Sequence, residues 1–362
     1  MSLRKIGFLI LCLMLGLSSC KKDDDATDIP QVVIRDRGEQ QMADNDSIIK
    51  YLTTHYYNAG AFEGNTNPKI SELIIDEIPE SGVLPNATDK VLFTDDGIEN
   101  DEVETETITF ASVEYKIYFL RLNTGGGEEF IDFSDRISYT YEGSLLEDDD
   151  SVFDSAVTPV QSNLIGNGVD DGGLIAGFRK IMPEFKGAES LTDNGDGTFN
   201  FSNHGTGVMF LPSGLAYFAN PRQGSGIPLY APLIFKFELY KSFNNDYDND
   251  GVPSHIEDID GDGEFSIDPD DREKEGDDDT DNDGTPDFVD ADDDGDGVLT
   301  KDEIKIRTVT KDTLEEVQNE TLNLNEQLVE ILKDELNNKF VGTIIEFTDT
   351  DDDTIPDYLD AD

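Results

Sequence analysis

Two sets of residues in this chain have the types and spacing to do chemistry. The first lies between Ile137 and Tyr240. Its phrases are Tyr141-Glu-Gly143, Val152-Phe153-Asp154-Ser155, Gly173-Leu-Ile-Ala-Gly-Phe178, Leu211-Pro-Ser-Gly-Leu-Ala-Tyr217 and Gly226 to Tyr240. Aromatic and branched apolar residues return there beside Gly and Pro, with the acid Asp154 set among them. Such a composition suits a small apolar pocket on a β-sheet, with few polar groups to orient a ligand. The only two cysteines, Cys12 and Cys20, fall in the first twenty residues, which excludes a cysteine nucleophile in the body of the chain.

The second set is acidic. Asp246-x-Asp248-x-Asp250-Gly251 closes a twelve-residue window at Glu257, and Asp258-x-Asp260-x-Asp262-Gly263 follows with Asp268 late in its window. Asp279-x-Asp281-x-Asp283-Gly284 closes at Asp290, and Asp292-x-Asp294-x-Asp296-Gly297 closes at Glu303. Asp349-x-Asp351-x-Asp353 has Thr354 in the glycine place and closes at Asp360. Acids at positions 1, 3 and 5 aim oxygens at one centre, Gly at 6 allows a sharp turn, and an acid at 12 closes the shell. That pattern predicts sites for the hard cation Ca²⁺, a structural cofactor. The window Asp292–Glu303 is the most complete and the last is the weakest.

The elements that must position these residues follow from pattern. Residues 1–19 read as a secretory leader with Arg4 and Lys5 before an apolar run too short to span a bilayer. Its ending, Leu17-Ser-Ser-Cys20, resembles a bacterial lipobox, which implies acylation of Cys20 and attachment to a membrane. Lys21-Lys-Asp-Asp-Asp25 opens a polar tether over 20–43; it resembles a surface-export tag or is a plain solvated linker. An α+β support module is expected over 44–127. It has a helix from Asp44 or Asp46 carrying Ile48, Ile49, Leu52 and Tyr56, and strands at Glu72–Ile78 and Glu114–Leu122. The pocket domain covers 128–243. Strands are expected at Ile137–Leu146, Gly207–Leu211 and Leu233–Tyr240, and one helix over Leu174–Met182. The acidic array covers 244–362, with an inserted helix over 311–340 carrying Leu314, Val317, Leu328, Ile331 and Leu332.

In order and spacing, Tyr141-x-Gly143, Phe153-Asp154-Ser155, Leu174-Ile175-x-Gly177-Phe178, Leu215-Ala-Tyr217, Ile227-Pro228 and Leu233-Ile-Phe235-x-x-Glu-Leu239 resemble the FKBP-type peptidyl-prolyl isomerases. The resemblance implies an α+β fold, an antiparallel sheet wrapped on one short helix. It implies that Phe178 takes the place of the usual tryptophan floor and that Tyr141, Phe153 and Phe235 form aromatic walls. Leu174, Ile175 and Ile227 would add aliphatic walls, Asp154 and Tyr217 polar contacts, and the Ile175 N–H would meet a substrate carbonyl. Two departures stand out: Phe218 replaces the usual glycine after Tyr217, and 188–205 is an insertion. The tandem acidic loops, with Pro253, Pro286 and Pro356 after the glycine position, resemble thrombospondin type 3 repeats.

The chemistry such a pocket would perform needs no nucleophile, metal or proton shuttle. The X-Pro bond resists rotation by ~18–20 kcal/mol because of C–N resonance. A dry aromatic enclosure disfavours the planar polar amide and complements the twisted one. The expected partners are proline-containing exported polypeptides and, through Cys20, a membrane of the bacterial envelope, namely the outer membrane on its periplasmic or outer side. The net charge of -55 argues against nucleic acid as a partner. Two other readings are a non-catalytic FKBP-like peptide-binding chaperone module and a calcium-dependent surface spacer or adhesion protein.

Overall fold

The computed structural model describes residues 34–94, 102–128, 130–167, 172–266, 277–334 and 337–361. The leader, the lipidation residue Cys20, the tether through residue 33, and Asp268 lie outside the described residues.

Helix α1 spans Arg37–Thr54. It therefore starts inside the segment expected to be a tether, and Asp44 is a mid-helix residue rather than its cap. The reason is a buried fastening: Asp44 Oδ2 accepts from the Ser213 N–H at 2.8 Å and the Ser213 hydroxyl at 2.6 Å. Gln40 Nε2 donates to Asp44 Oδ1 at 2.6 Å. The polar run before Ile48 is thus ordered by partners about 170 residues away, which a local window does not see. Strands β1 (His55–Tyr57), β2 (Ile75–Glu77) and β3 (Lys90–Val91) form a small sheet in the order β2-β1-β3.

Strands β4 (Val103–Phe110), β5 (Val113–Asn123), β6 (Arg136–Leu145), β7 (Val152–Asn163), β10 (Gly205–Leu211) and β11 (Leu233–Phe243) make one six-stranded sheet, ordered β4-β5-β10-β11-β6-β7. All its pairings are antiparallel. The boundary expected at residue 127 does not hold, because β4 and β5 belong to the pocket domain's own sheet. Alternation along β5 explains this. Tyr115, Ile117 and Phe119 enter the core on one face, with Phe178, Ile181 and Phe185. Tyr118 and Leu120 enter the other, with Ile48 and Leu52 of α1. The sheet is covered on both faces, so β10, at its centre, is buried at every residue.

The short helix α2 (Ala176–Ile181) crosses the face that carries Tyr115, Ile117 and Phe119, opposite α1. The 188–205 insertion is itself a hairpin of β8 (Ser190–Asp193) and β9 (Phe199–Ser202). The chain is thus a mixed α and β protein with several antiparallel sheets and few helices, compatible with the FKBP-like arrangement. Among the described residues no helix is long and apolar enough to cross a membrane.

In the acidic region, α3 (Thr300–Glu303) and β12 (Ile304–Lys311) precede α4 (Leu314–Gln318). Then come β13 (Glu326–Asp334) and β14 (Lys339–Phe347), in a sheet ordered β12-β14-β13. The expected helix over 311–340 is corrected to one capped turn and a strand. Thr313 and Glu316 form a capping box that starts α4. Beyond it, Leu328, Ile331 and Leu332 have spacings that fit either period. The ladder to β14, with Leu328 opposite Ile344 and Leu332 opposite Val341, selects the strand.

Candidate functional site

The pocket is built where β6, β7 and β11 meet helix α2. Tyr139 and Tyr141 alternate along β6 onto one face and stack at 5.4 Å between ring centroids. The β6–β7 pairing slips between Tyr139 and Tyr141 and again between Gly143 and Ser144, irregularities of the kind that bend strands beside sites. Phe178 is 3% exposed. It packs edge-on to Phe235 at 5.0 Å and tilted against Tyr139 at 5.8 Å. Phe153 stands edge-on to Phe235 at 5.6 Å. Edge-to-face contacts hold each ring in one orientation, so the floor is rigid before any ligand arrives.

A cavity of about 560 Å³ opens on this floor. Its lining brings together Tyr141, Asp154, Leu174, Ile175, Phe178, Tyr217 and Phe235 of the expected set. Phe153, edge-on to Phe235, and Ile227, buried in the core, are not on the lining. The Tyr141 hydroxyl donates to Asp154 Oδ2 at 2.8 Å. Burial, then that hydrogen bond and the Asp154 charge, push the Tyr141 phenol up, so it stays a protonated donor. Burial also pushes Tyr217 up; Arg222 opposes this and Asp154 adds to it. Ile175 precedes helix α2 in extended backbone, and its carbonyl accepts from the Phe178 N–H at 2.9 Å.

Besides Gly172 and Gly173, the lining includes four residues that the sequence did not mark as site residues: Tyr139, Val160, Ser162 and Arg222. Period two along β6 pointed to Tyr139. Val160 and Ser162 lie on β7, which runs eight residues past Ser155, beyond the last pocket phrase on that strand. Arg222 sits in a loop and carried no signal.

The turn after Tyr217 shows what the Phe218 substitution does. Phe218 has φ 47°, the left-handed region that favours the usual glycine. The Arg37 guanidinium covers its ring at 4.3 Å and Tyr230 meets it edge-on at 5.0 Å. Arg37 also donates to Gly214 O at 3.1 Å. Helix α1 therefore holds the turn that presents Tyr217.

The acidic loops share one geometry. In each, the position-1 acid accepts the N–H of position 6: Asp246 from Gly251, Asp258 from Gly263, Asp279 from Gly284, Asp292 from Gly297 and Asp349 from Thr354. Position 6 has positive φ throughout, including Thr354 at 88°. Carboxylate oxygens converge in five groups: Asp248, Asp250, Glu257 and Asp293; Asp258, Asp260 and Asp278; Asp279, Asp281 and Asp283; Asp292, Asp294 and Asp296; Asp349, Asp351 and Asp353. Of the expected ligands, Asp246, Asp262, Asp290, Glu303 and Asp360 stand outside these groups, and Asp278 and Asp293 enter them unforeseen. Oxygen-rich groups of this kind fit a hard divalent cation. Burial, then neighbouring carboxylates, push Asp248 up to about 8 and Asp293 up to about 9. Burial, partly offset by backbone hydrogen bonds, pushes Asp278 up to about 7.

Comparison with known proteins gives the following. Residues 247–319 match the family model described as BamM C-terminal, over the first four acidic loops and on through α4. The thrombospondin type 3 resemblance finds no support there. No curated protein matches the chain. One similar solved structure is a peptidyl-prolyl cis-trans isomerase from Pseudomonas syringae pv. tomato. It is 21% identical over 35% of this chain and 74% of that one, with a TM-score of 0.26. Another is FkpA from Escherichia coli, 15% identical over 67% of this chain and 73% of that one, with a TM-score of 0.28.

The array is joined to the pocket domain at described contacts. Lys180 Nζ meets Glu264 Oε1 at 3.0 Å and donates to Gly263 O at 3.1 Å, while Arg179 Nη2 meets Glu264 Oε2 at 3.1 Å. Phe133 packs on Phe265 at 5.2 Å, and Phe265 stacks on Phe288 at 3.9 Å.

Proposed function

We propose that this chain is a peptidyl-prolyl cis-trans isomerase of the FKBP type, held in the bacterial envelope through Cys20, with Ca²⁺ bound in its acidic loops. The observation that carries the isomerase reading is the single cavity lined by Tyr141, Asp154, Leu174, Ile175, Phe178, Tyr217 and Phe235. A proline ring on Phe178 would be enclosed by Tyr139, Tyr141 and Phe235. The Tyr217 hydroxyl and the Ile175 N–H would orient the flanking carbonyls, while the Tyr141 hydroxyl stays bonded to Asp154. Enclosure removes water from the amide, which lowers the preference for its polar planar form and so the cost of twisting it. Asp154 orients Tyr141 and takes no part as a nucleophile. The substrates would be proline-containing exported polypeptides.

A protease-free isomerisation assay on a proline peptide tests this. The wild-type chain should show turnover, and Phe178→Ala should lose most of it while the protein remains folded. Peptide binding without turnover would leave a chaperone module that uses the same cavity.

A further inference from the structure

Glu257 and Asp293 are 1% and 2% exposed, and neither oxygen of either carboxylate has a hydrogen-bond partner. Asp248 Oδ2 and Asp250 Oδ2 are likewise buried without partners. One oxygen from each of these four residues lies within 4.8 Å of the other three. Oxygens around a Ca²⁺ ion at 2.3–2.6 Å lie up to about 5 Å apart, so the four fit one coordination shell. Four carboxylates facing one another in a buried space cannot all stay charged without a cation. The charges that act on them most are other carboxylates, not lysine or arginine.

Asp293 belongs to the fourth loop, where it occupies the second position, between the expected ligands Asp292 and Asp294. Its N–H donates to Thr300 Oγ1 at 3.4 Å, and its side chain faces the first loop. The first loop also meets the third, through an edge contact of Tyr247 on Phe288 at 5.6 Å.

We infer that Asp248, Asp250, Glu257 and Asp293 form a single divalent-cation site, closed across the first and fourth loops, that fastens the acidic array to the pocket domain. The inference rests on the calcium reading of the array and adds to it a ligand from outside the loop motif and a structural task. The first loop, like the second through Glu264, grips the pocket domain. The Tyr247 hydroxyl donates to Ile165 O. Asn245 Nδ2 donates to Ser134 O at 2.7 Å and to Asn163 Oδ1 at 3.2 Å. The backbone carbonyls of Asn163 and Leu164 in turn accept the N–H of Leu174, on the cavity lining, at 3.2 and 3.0 Å. An ion in this site ties the fourth loop to the first, and through Asn245 and Tyr247 holds the segment that leads into the cavity.

Equilibrium dialysis of the full chain against Ca²⁺, with hydrogen exchange over 245–257, tests the site. In the wild type, Ca²⁺ should slow exchange at Val252 and Ser254. Asp293→Asn should bind one ion fewer, or bind that ion more than about tenfold more weakly, and lose the slowing. Asp351→Asn, in the fifth loop, should lose an ion of its own and keep the slowing. If the wild type binds no Ca²⁺, the calcium reading of the array falls and this site falls with it. If it binds Ca²⁺ and Asp293→Asn matches it in number, affinity and exchange, the two-loop site alone is overturned. Should Asp293→Asn fail to fold, the wild type decides: binding without slower exchange at Val252 and Ser254 overturns the proposal.

Discussion

Glu264, directly after the glycine of the second acidic loop, grips Lys180, two residues beyond the cavity floor Phe178, at 3.0 Å. The same carboxylate holds Arg179 at 3.1 Å. All three side chains are less than a quarter exposed. The helix that carries the floor is therefore tied by its next two residues to a loop built of carboxylates.

Removing that tie should loosen the floor without emptying the loop. Partly exposed ion pairs are worth up to about 1 kcal/mol, or about fivefold in an equilibrium. Glu264→Gln is expected to keep the fold and the Ca²⁺ stoichiometry, to speed amide exchange in 176–181, and to lower isomerase turnover by about fivefold or less. Unchanged exchange in α2 would show that the bridge does not restrain the helix.

A second prediction concerns Gly143, which pairs with Phe235 on β11 and with Asp154 on β7. A Cβ added there would lie 2.7 Å from Phe153 Cζ and 2.7 Å from Phe235 Cε1. Both rings are pinned by edge-to-face contacts, so neither can withdraw without disturbing Phe178. Overpacking of this kind costs about 1–3 kcal/mol. Gly143→Ala should lower the urea midpoint accordingly and weaken peptide binding at the cavity. Wild-type stability together with wild-type binding would mean that the rings are not packed on β6 as described.

Much of the cavity was legible because it sits on regular strands. Gly143 beside Tyr141, and Gly177 beside Phe178, mark places where aromatic or aliphatic side chains approach the backbone, and glycine is a visible signal of that. What was hidden depends on distant partners. Helix α1 begins at Arg37 because Ser213 and Gly214 receive its polar side chains. Strand β13 exists because β14 pairs with it. Strands β4 and β5 of the expected support module join the main sheet because both faces of β5 find cover. Asp293 was passed over for a different reason. The loop motif reads positions 1, 3, 5 and 12 as ligands, whereas Asp293, at position 2, faces the first loop instead of its own.

The acidic array should also respond to pH in opposite directions with and without cation. In the cation-free protein, burial followed by neighbouring acids raises Asp248 to about 8 and Asp293 to about 9. Burial, with Asp246 adding and backbone donors opposing, raises Asp250 to about 6. The carboxyls that face this group are Asp246, Glu257 and Asp287. An acid whose folded value is raised binds more protons folded than unfolded, so its contribution to stability is complete below the ordinary carboxylate range, about pH 4, and is lost as pH rises through the folded value. Calcium-stripped protein should therefore lose stability steadily from pH 5 to pH 9. With Ca²⁺ saturating, protons compete with the ion for the same oxygens, so stability should rise from pH 5 to pH 7 instead. Urea midpoints followed by tyrosine fluorescence, which is clean because the chain has no tryptophan, read both arms. General repulsion in so acidic a chain also favours low pH. Asp293→Asn separates the two effects: it should flatten the calcium-stripped slope between pH 7 and pH 9, where general repulsion is nearly constant. A slope unchanged by this substitution would show that the loss at high pH comes from overall charge and not from the buried carboxylates.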